Sequence, residues 1–256
     1  FLSTYICHPS MANNELSGPT VVTFLAKWLS DLSERNYTYR VVFIPETIGS
    51  ITYLSLNHNE MKQKVISGFN VSCVGDDRAY SYLPSRDGNT LSDNVAKHVL
   101  KHIDPGFKSY TWLDRGSDER QYCAPGIDLP IASIMRTKYG EYPEYHTSLD
   151  DLDNVVTPNG LDGGYWSIRK AIEAIERNKQ YRGTVLGEPQ MGKRGLYPTL
   201  STKKSGEQVR LMMDVISLCD GENTLLQIAE TLSTPIWELY ELVDKLVEHK
   251  LLQANE

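Results

Sequence analysis

Short, continuously apolar runs alternate with segments of helical spacing along the first 180 residues, and this alternation constrains the fold more than any other feature. Continuously apolar strands are typical of parallel sheets that are covered on both faces. The pattern predicts strands at 2–7, 39–44, 64–74, 109–113 and 129–135, and helices at 17–32, 46–58, 89–103 and 156–177. The sequence therefore predicts an α/β domain whose mixed, mostly parallel sheet is sandwiched by helices.

The composition changes from about residue 181. Residues 182–206 are rich in Gly, Pro, Lys and Arg, which is typical of a linker or an extended arm. Three amphipathic stretches follow, at 207–218, 224–232 and 235–250, and they have the outline of a winged helix-turn-helix. We predict an α/β domain over 1–180, a linker over 181–205 and a winged-helix-like domain over 206–256.

Charge and hydropathy exclude some classes of partner. A formal net charge of −7 disfavours a general nucleic-acid binder, and no apolar run approaches the length of a membrane span. The four cysteines have no close pair, and no signal peptide is visible, so we expect a cytoplasmic protein with reduced thiols. The chain opens on an apolar stretch without an initiator Met, so we also expect the α/β domain to be incomplete at its N-terminus.

Groups able to do metal chemistry follow the predicted strands. His8 ends the first strand, Glu46 follows the second, and His146 lies in a loop with several carboxylates. An isolated histidine can merely cap a strand, and a glutamate at a helix start can simply stabilise the helix through its dipole. Loops at the carboxyl ends of parallel strands meet, however, and imidazole and carboxylate are zinc ligands and general bases. The three side chains are therefore candidates for one site.

The order of four segments resembles that of the co-catalytic zinc aminopeptidases, a superfamily that also contains glutaminyl cyclases. The segments are His8 with 11–18 (MANNELSG), 46–50 (ETIGS), 116–119 (GSDE) and 145–147 (YHT). A closer resemblance, over nearly the whole chain, is to an aminopeptidase-like family with a C-terminal winged helix. The resemblance implies zinc, an α/β sandwich fold, and hydrolysis of an amide bond near a free amino terminus.

The resemblance also implies which residues hold metal. His8 and His146 match the first and last histidine ligands, and Asn14 stands where the metal-bridging aspartate is found. Thr47 stands in the position of a second metal-binding glutamate. Because Asn14 is neutral and Thr47 is a poor zinc ligand, we expect one zinc ion rather than two, held by the two histidines with Asn14 or Glu15.

Four further residues are assigned to catalysis and substrate binding. Glu46 matches the general base, and Asp118 matches an aspartate close to the substrate pocket. A free amino terminus needs an anionic partner, for which Asp118 and Glu119 are candidates, and Tyr145 is assigned to substrate binding beside His146. The chain is thus predicted to hydrolyse a small peptide or an amide-containing metabolite.

Two other functions remain open. Neutral Asn14 and Thr47 are also consistent with a catalytically degenerate peptidase fold that acts as a binding or scaffold module. A transcriptional regulator would need a DNA-binding tail. Residues 205–256, however, carry three basic side chains against ten acidic ones, and the predicted recognition helix at 235–250 is itself acidic. We expect this domain to contact a protein or a second copy of the chain instead.

His98 and His102 lie four residues apart on a predicted helix, which is a spacing found in metal sites. Zincin chemistry would require a glutamate at position 99, where this chain has Val99. We therefore interpret the pair as a solvated flank of the helix.

Overall fold

The computed structural model describes residues 1–8, 10–194, 196 and 203–255, apart from the side chains of residues 203–205. The chain divides into two compact units, Phe1–Ile172 and Glu173–Glu256. We call them unit 1 and unit 2.

Unit 1 is built on a six-stranded sheet with the order β2-β1-β3-β6-β4-β5. The neighbours in β2-β1-β3-β6 are parallel, β4 is antiparallel to β6, and β5 is parallel to β4. The predicted mixed, mostly parallel sheet is therefore confirmed. The strands are β1 (Leu2–Tyr5), β2 (Val41–Ile44), β3 (Gly68–Asn70), β4 (Ser81–Leu83), β5 (Lys108–Ser109) and β6 (Ile131–Met135).

Helices flank this sheet and enclose its core. One cluster of buried residues joins the sheet to the second and fourth helices through side chains such as Leu54, Met61, Tyr122 and Ile131. A π-helical turn at Ala12–Leu16 leads directly into the first helix. The helices of this part of the chain are α1 (Ser17–Asp31), α2 (Ile48–Lys64), α3 (Leu91–Ile103), α4 (Glu119–Tyr122) and α5 (Pro158–Arg177).

The third strand is much shorter than the pattern predicts. The sequence predicts a strand over 64–74, whereas β3 contains only Gly68–Asn70. Helix α2 continues to Lys64, past the predicted end at residue 58, because residues 59–64 are mostly good helix formers. The buried residues after β3 form an irregular segment that supports the site instead of extending the strand.

Unit 2 contains three helices and a small antiparallel sheet with the order β8-β7-β9, which is the winged helix arrangement. Strand β7 occupies residues 180–183, mostly within the range predicted as a linker, because its buried Tyr181 pairs with Ala254. Residues 195 and 197–202 of that range lie outside the described residues. The elements are β7 (Gln180–Gly183), α6 (Lys203–Leu218), β8 (Asp220–Thr224), α7 (Leu225–Thr231), α8 (Ile236–Glu248) and β9 (Leu252–Ala254).

A helix that spans a bilayer needs about 20 consecutive, mostly apolar residues. Within the described ranges, no helix has both the length and the apolar character that a membrane span requires.

Candidate metal and catalytic site

The predicted site residues follow the carboxyl ends of three parallel strands. His8 lies three residues after β1, Glu46 lies two residues after β2, and His146 lies in the long segment after β6. The imidazole rings of His8 and His146 have centroids 5.1 Å apart and are tilted by 37°. The structure thus brings together the two histidines that the sequence suggests as metal ligands.

Glu15 is the carboxylate that contacts His8. Its Oε1 atom lies 2.7 Å from Nδ1 of His8 and accepts a hydrogen bond from Sγ of Cys7 at 3.1 Å. Its Oε2 atom accepts from the backbone amide of Cys7 at 2.7 Å. Burial favours the neutral acid, but the hydrogen bonds from Cys7 and His8 outweigh it and lower the pKa of Glu15. The ligating atoms of these three residues all lie within 4.8 Å of one another, so they could hold a metal ion.

Asn14 lies beside this trio and is engaged with the protein. Its Oδ1 accepts a hydrogen bond from the Tyr5 hydroxyl at 3.3 Å, and its Nδ2 donates to Oε1 of Glu15, also at 3.3 Å. The role of Asn14 as a metal ligand stays a prediction. Cys7 was not among the sequence candidates, and its position next to His8 was the one available signal.

Asp150 fixes the turn that carries Glu15. Its two carboxylate oxygens accept hydrogen bonds from the backbone amides of Asn13 and Asn14, at 2.7 and 3.0 Å. The Tyr142 hydroxyl donates to the same carboxylate at 3.0 Å. Asp150 therefore ties the segment that contains His146 to the turn beside His8.

The backbone around His146 is unusual. His146 has a φ of 58°, which is uncommon for a residue other than glycine and marks a conformation imposed by its surroundings. The ring of Tyr145 stacks on the His146 ring with centroids 4.0 Å apart. Nearby, Arg78 forms a double hydrogen bond with Glu144, at 2.8 and 2.9 Å. A contact between Tyr145 and substrate stays a prediction.

Glu46 is half-buried beside the trio. Burial raises the pKa of its carboxyl, a hydrogen bond from Ser117 and the charge of Arg120 oppose this, and the nearby charges of Glu15 and Glu119 raise it further. A raised pKa brings a glutamate closer to the value at which a general base works best near neutral pH.

The residue after Glu46 has a strained backbone that Asp118 holds in place. Thr47 has a φ of 61°, and its amide donates to Oδ1 of Asp118 at 2.7 Å. Ser50 donates to the same oxygen at 2.8 Å. Burial is the main reason why the pKa of Asp118 is raised to about 6. Its Oδ2 atom is buried with no hydrogen-bond partner among the described residues.

The position of Thr47 bears on the number of metal ions. Its Oγ1 atom accepts a hydrogen bond from Arg120 at 3.1 Å. A guanidinium group thus lies next to the position where the resemblance places a second metal-binding glutamate. A cation at this point disfavours a second divalent ion, because like charges repel.

Glu119 is completely buried and holds the loop before α4. Its Oε1 accepts hydrogen bonds from the amides of Gly116 and Ser117, both at 2.8 Å, and from the Tyr139 hydroxyl at 2.7 Å. Its Oε2 accepts from Asn70 at 3.0 Å. Through these four bonds Glu119 stabilises the loop. A contact between Glu119 and substrate stays a prediction.

The histidine pair on α3 differs from expectation. His98 is only 1% exposed, so the interpretation as a solvated flank is wrong for this residue. The ring of His102 packs against it at 4.7 Å between centroids. His98 lies on the same buried face of α3 as Val95 and Val99, which the spacing of the pair alone does not reveal.

Comparisons with other proteins give relatives for the whole chain. A Clostridium acetobutylicum protein, named as a candidate polysaccharide biosynthesis protein with an aminopeptidase-like domain, is 38% identical over 98% of this chain and 58% of its own length. A crystal structure of a candidate peptidase from the same organism is 37% identical, with a TM-score of 0.89, over 99% of this chain and 57% of that one. The chain therefore spans a little over half the length of these relatives.

The fold of unit 1 is shared with zinc aminopeptidases. The zinc aminopeptidase of Bacillus subtilis matches at 20% identity and a TM-score of 0.51, over 68% of this chain and 45% of that one. A domain of unknown function named DUF4910 matches residues 1–178, and a winged helix-turn-helix matches residues 179–254. The chain therefore belongs to the DUF4910 family and carries a winged helix-turn-helix after that domain.

Proposed function

We propose that unit 1 binds one zinc ion and hydrolyses an amide bond in a small peptide or an amide-containing metabolite. The observation that carries this proposal is the convergence of two imidazole rings, 5.1 Å apart, at the ends of the strands that also carry Glu46. The aminopeptidase-like fold supports the same class of reaction.

Imidazole and carboxylate are donor types that zinc prefers. We assign His8, His146 and Glu15 to hold it, with Asn14 as a neutral neighbour. Oε1 of Glu15 lies 2.7 Å from Nδ1 of His8, so both donor atoms can reach the same ion. When bound, the zinc ion would supply Lewis-acid chemistry at a carbonyl oxygen and favour ionisation of water.

The protein's own groups would move the proton and orient the substrate. Glu46 takes a proton from the attacking water and delivers it to the leaving amine. Asp118 positions Glu46 through the amide of Thr47. Asp118 and Glu119 are both 0% exposed, so we assign neither of them to a substrate's amino terminus. Tyr145 is assigned to contact the substrate beside His146.

Metal analysis and one substitution test the proposal. Protein purified without chelator should contain about one zinc ion per chain, held by the donor types that zinc prefers. Glu46→Gln should lower kcat/KM on aminoacyl amides by roughly 10²–10⁴-fold, the usual contribution of a general base, while zinc content stays the same. His8→Ala is the control that should lose zinc. Zinc-free protein, or full activity in Glu46→Gln, would overturn the proposal.

A binding module without catalysis is the second candidate. The neutral Asn14 and the contact between Thr47 and Arg120 favour it, because both remove charge compensation for a second metal ion. This candidate predicts that a peptide ligand binds with the same Kd to the wild type and to Glu46→Gln, and that neither releases product. Calorimetry and product analysis on the same samples separate the two functions.

For unit 2 we propose a protein contact rather than nucleic-acid binding. Glu238, Glu241 and Glu248 are exposed on α8, the helix that a DNA-binding winged helix would present to the major groove. These carboxylates would meet phosphate groups of the same sign. The partner is a protein or a second copy of the chain.

A further inference from the structure

We infer that Cys7 is a metal ligand, so that the metal centre at the end of β1 is a cysteine–histidine–carboxylate site. The inference deepens the proposed zinc site, on which it rests through the shared ligands His8 and Glu15. Cys7 takes the ligand position assigned to His146, so that three protein ligands leave the fourth zinc position open to water.

The geometry of the trio is close to that of a zinc site. Sγ of Cys7 lies 3.1 Å from Nδ1 of His8 and 3.1 Å from Oε1 of Glu15, and Nδ1 and Oε1 are 2.7 Å apart. Zinc bond lengths place tetrahedral ligand atoms about 3.3–3.6 Å from one another. Each pair therefore needs to open by less than about 1 Å for the ion to enter.

The Glu15 carboxylate of the trio is held in advance by backbone hydrogen bonds. The backbone amide of Cys7 donates to Oε2 of Glu15, which leaves Oε1 facing the sulfur and the imidazole. The Glu15 side chain is only 2% exposed, and Asp150 fixes the turn that carries it through two backbone amides. The Glu15 carboxylate therefore needs little further ordering when an ion binds, which favours affinity.

Charge supports a sulfur ligand. A thiolate and a carboxylate together carry two negative charges, which balance one divalent cation. The thiolate and the carboxylate thus supply the negative charge that the neutral Asn14 and Thr47 do not. A thiolate also selects zinc, cobalt or cadmium over magnesium and calcium, because softer cations prefer sulfur.

Cobalt substitution tests the sulfur ligand directly. The full chain, stripped with chelator, is titrated with Co²⁺ and followed by absorption. The expected result is a near-ultraviolet thiolate-to-cobalt charge-transfer band that saturates at about one equivalent, as a single site requires. Cys7→Ser should lose this band. Cys219→Ala, which removes a buried thiol in unit 2, should keep it.

Thiol protection is a second measurement that needs no variant. Cys7 is exposed, whereas Cys73, Cys123 and Cys219 are buried. An aromatic disulfide reagent should therefore modify about one thiol in the native metal-free protein, since reaction requires access. Zn²⁺ should lower that rate at least about tenfold by withdrawing the thiolate, and Mg²⁺ should not.

The outcomes separate this inference from the proposed function. Visible cobalt bands without the charge-transfer band would overturn the role of Cys7 and leave a zinc hydrolase standing. A charge-transfer band in a protein that hydrolyses no amide would support the role of Cys7 and count against the hydrolase. No cobalt binding, with no protection by Zn²⁺, would overturn both.

Discussion

At the scale of residues, the buried carboxyl group of Asp118 is hydrogen-bonded to the strained backbone that follows Glu46. Thr47 has a positive φ, a conformation that costs a side-chain-bearing residue of order 1–3 kcal/mol. The hydrogen bond from the Thr47 amide to Asp118 offsets part of this cost. Burial disfavours the ionised carboxylate of Asp118. The arrangement that positions Glu46 therefore lowers the stability of the folded chain.

Asp118→Asn should therefore change the pH dependence of stability. Burial raises the pKa of Asp118 from 3.8 to about 6 in the folded state. Its contribution to the free energy of unfolding is therefore complete below pH 3.8 and is lost as the pH rises through about 6. The asparagine cannot titrate. The free energy of unfolding of the wild type, relative to the variant, should fall between about pH 4 and pH 6 in the presence of chelator.

Asp114 supplies the control for this measurement. Its carboxylate is exposed, and hydrogen bonds from Thr111 lower its pKa below 3.8. Its contribution to stability is present above that value and is lost only as the pH falls below it, so the difference for Asp114→Asn should stay constant between about pH 4 and pH 6. An Asp118→Asn difference that stays constant over the range would contradict the prediction. Unfolding by urea at each pH measures both variants.

A second residue-scale prediction concerns the buried Glu119. In Glu119→Gln, Oε1 can still accept from Gly116, Ser117 and Tyr139, but the new NH₂ group faces the NH₂ group of Asn70. Two buried donors then oppose each other. The free energy of unfolding should fall by about 1–3 kcal/mol, the usual cost of an unsatisfied buried polar group.

Exchanging both partners should restore much of that loss. In Glu119→Gln with Asn70→Asp, the glutamine NH₂ group donates to an aspartate oxygen, and the net charge of the pair is that of the wild type. A double-mutant cycle in urea unfolding measures the recovery. A double variant that is no more stable than Glu119→Gln would show that the Asn70 contact does not explain the loss.

At the scale of elements, the first turn of α5 lies directly against the backbone segment that supports the site. A Cβ atom added at Gly160 would lie 1.9 Å from the carbonyl oxygen of Gly75. Gly75 in turn donates its amide to Oδ1 of Asn13 at 2.8 Å, and Asn13 lies in the turn that carries Glu15. The close approach of these two backbones thus links α5 to the turn that contributes Glu15 to the candidate metal site.

Gly160→Ala should therefore destabilise unit 1. Alanine normally favours a helix by about 1 kcal/mol over glycine. Here the methyl group meets backbone atoms that cannot rotate away, and we expect a net loss of at least about 2 kcal/mol. Gly206→Ala in α6 is the control, because its Cβ meets no atom within 4 Å. Urea unfolding should place the control within about 1 kcal/mol of the wild type. Equal stability of the two variants would contradict the prediction.

At the scale of the whole molecule, an acidic winged helix accompanies an aminopeptidase-like unit. The exposed face of α8 carries Glu238, Glu241, Asp244 and Glu248, and Asp244 is paired with Arg177. One basic side chain of this helix, Lys245, is exposed among them. The winged helix architecture alone would suggest DNA binding, whereas the charge of this chain favours a protein surface as partner.

The full chain should accordingly fail to shift duplex DNA in a gel at low salt, where phosphate contacts are strongest. A basic winged-helix protein is a suitable positive control. Sedimentation of the chain alone, over a range of concentrations, reports whether its partner is a second copy. A shift of duplex DNA that weakens as salt increases would contradict this prediction and favour a regulator.

The sequence by itself determined the architecture and the edge of the sheet at which the site lies. Apolar runs predict the strands, and parallel pairing places their carboxyl ends together, so the sequence alone assigns His8 and Glu46 to one candidate site. The helices of unit 2 follow equally from their amphipathic spacing. These features depend on local periodicity, which a single sequence records.

Only the tertiary structure decided which side chains meet. In the sequence, the adjacent residues Asn14 and Glu15 are equally suitable as partners of His8. Glu15 is the one that contacts His8, because Asp150, which lies 136 residues after Asn14 along the chain, orients the turn. The antiparallel strand β4 was missed for the same reason, because its partner β6 lies about 50 residues later in the chain. Such contacts join segments that are distant in sequence, and their geometry depends on packing rather than on local pattern.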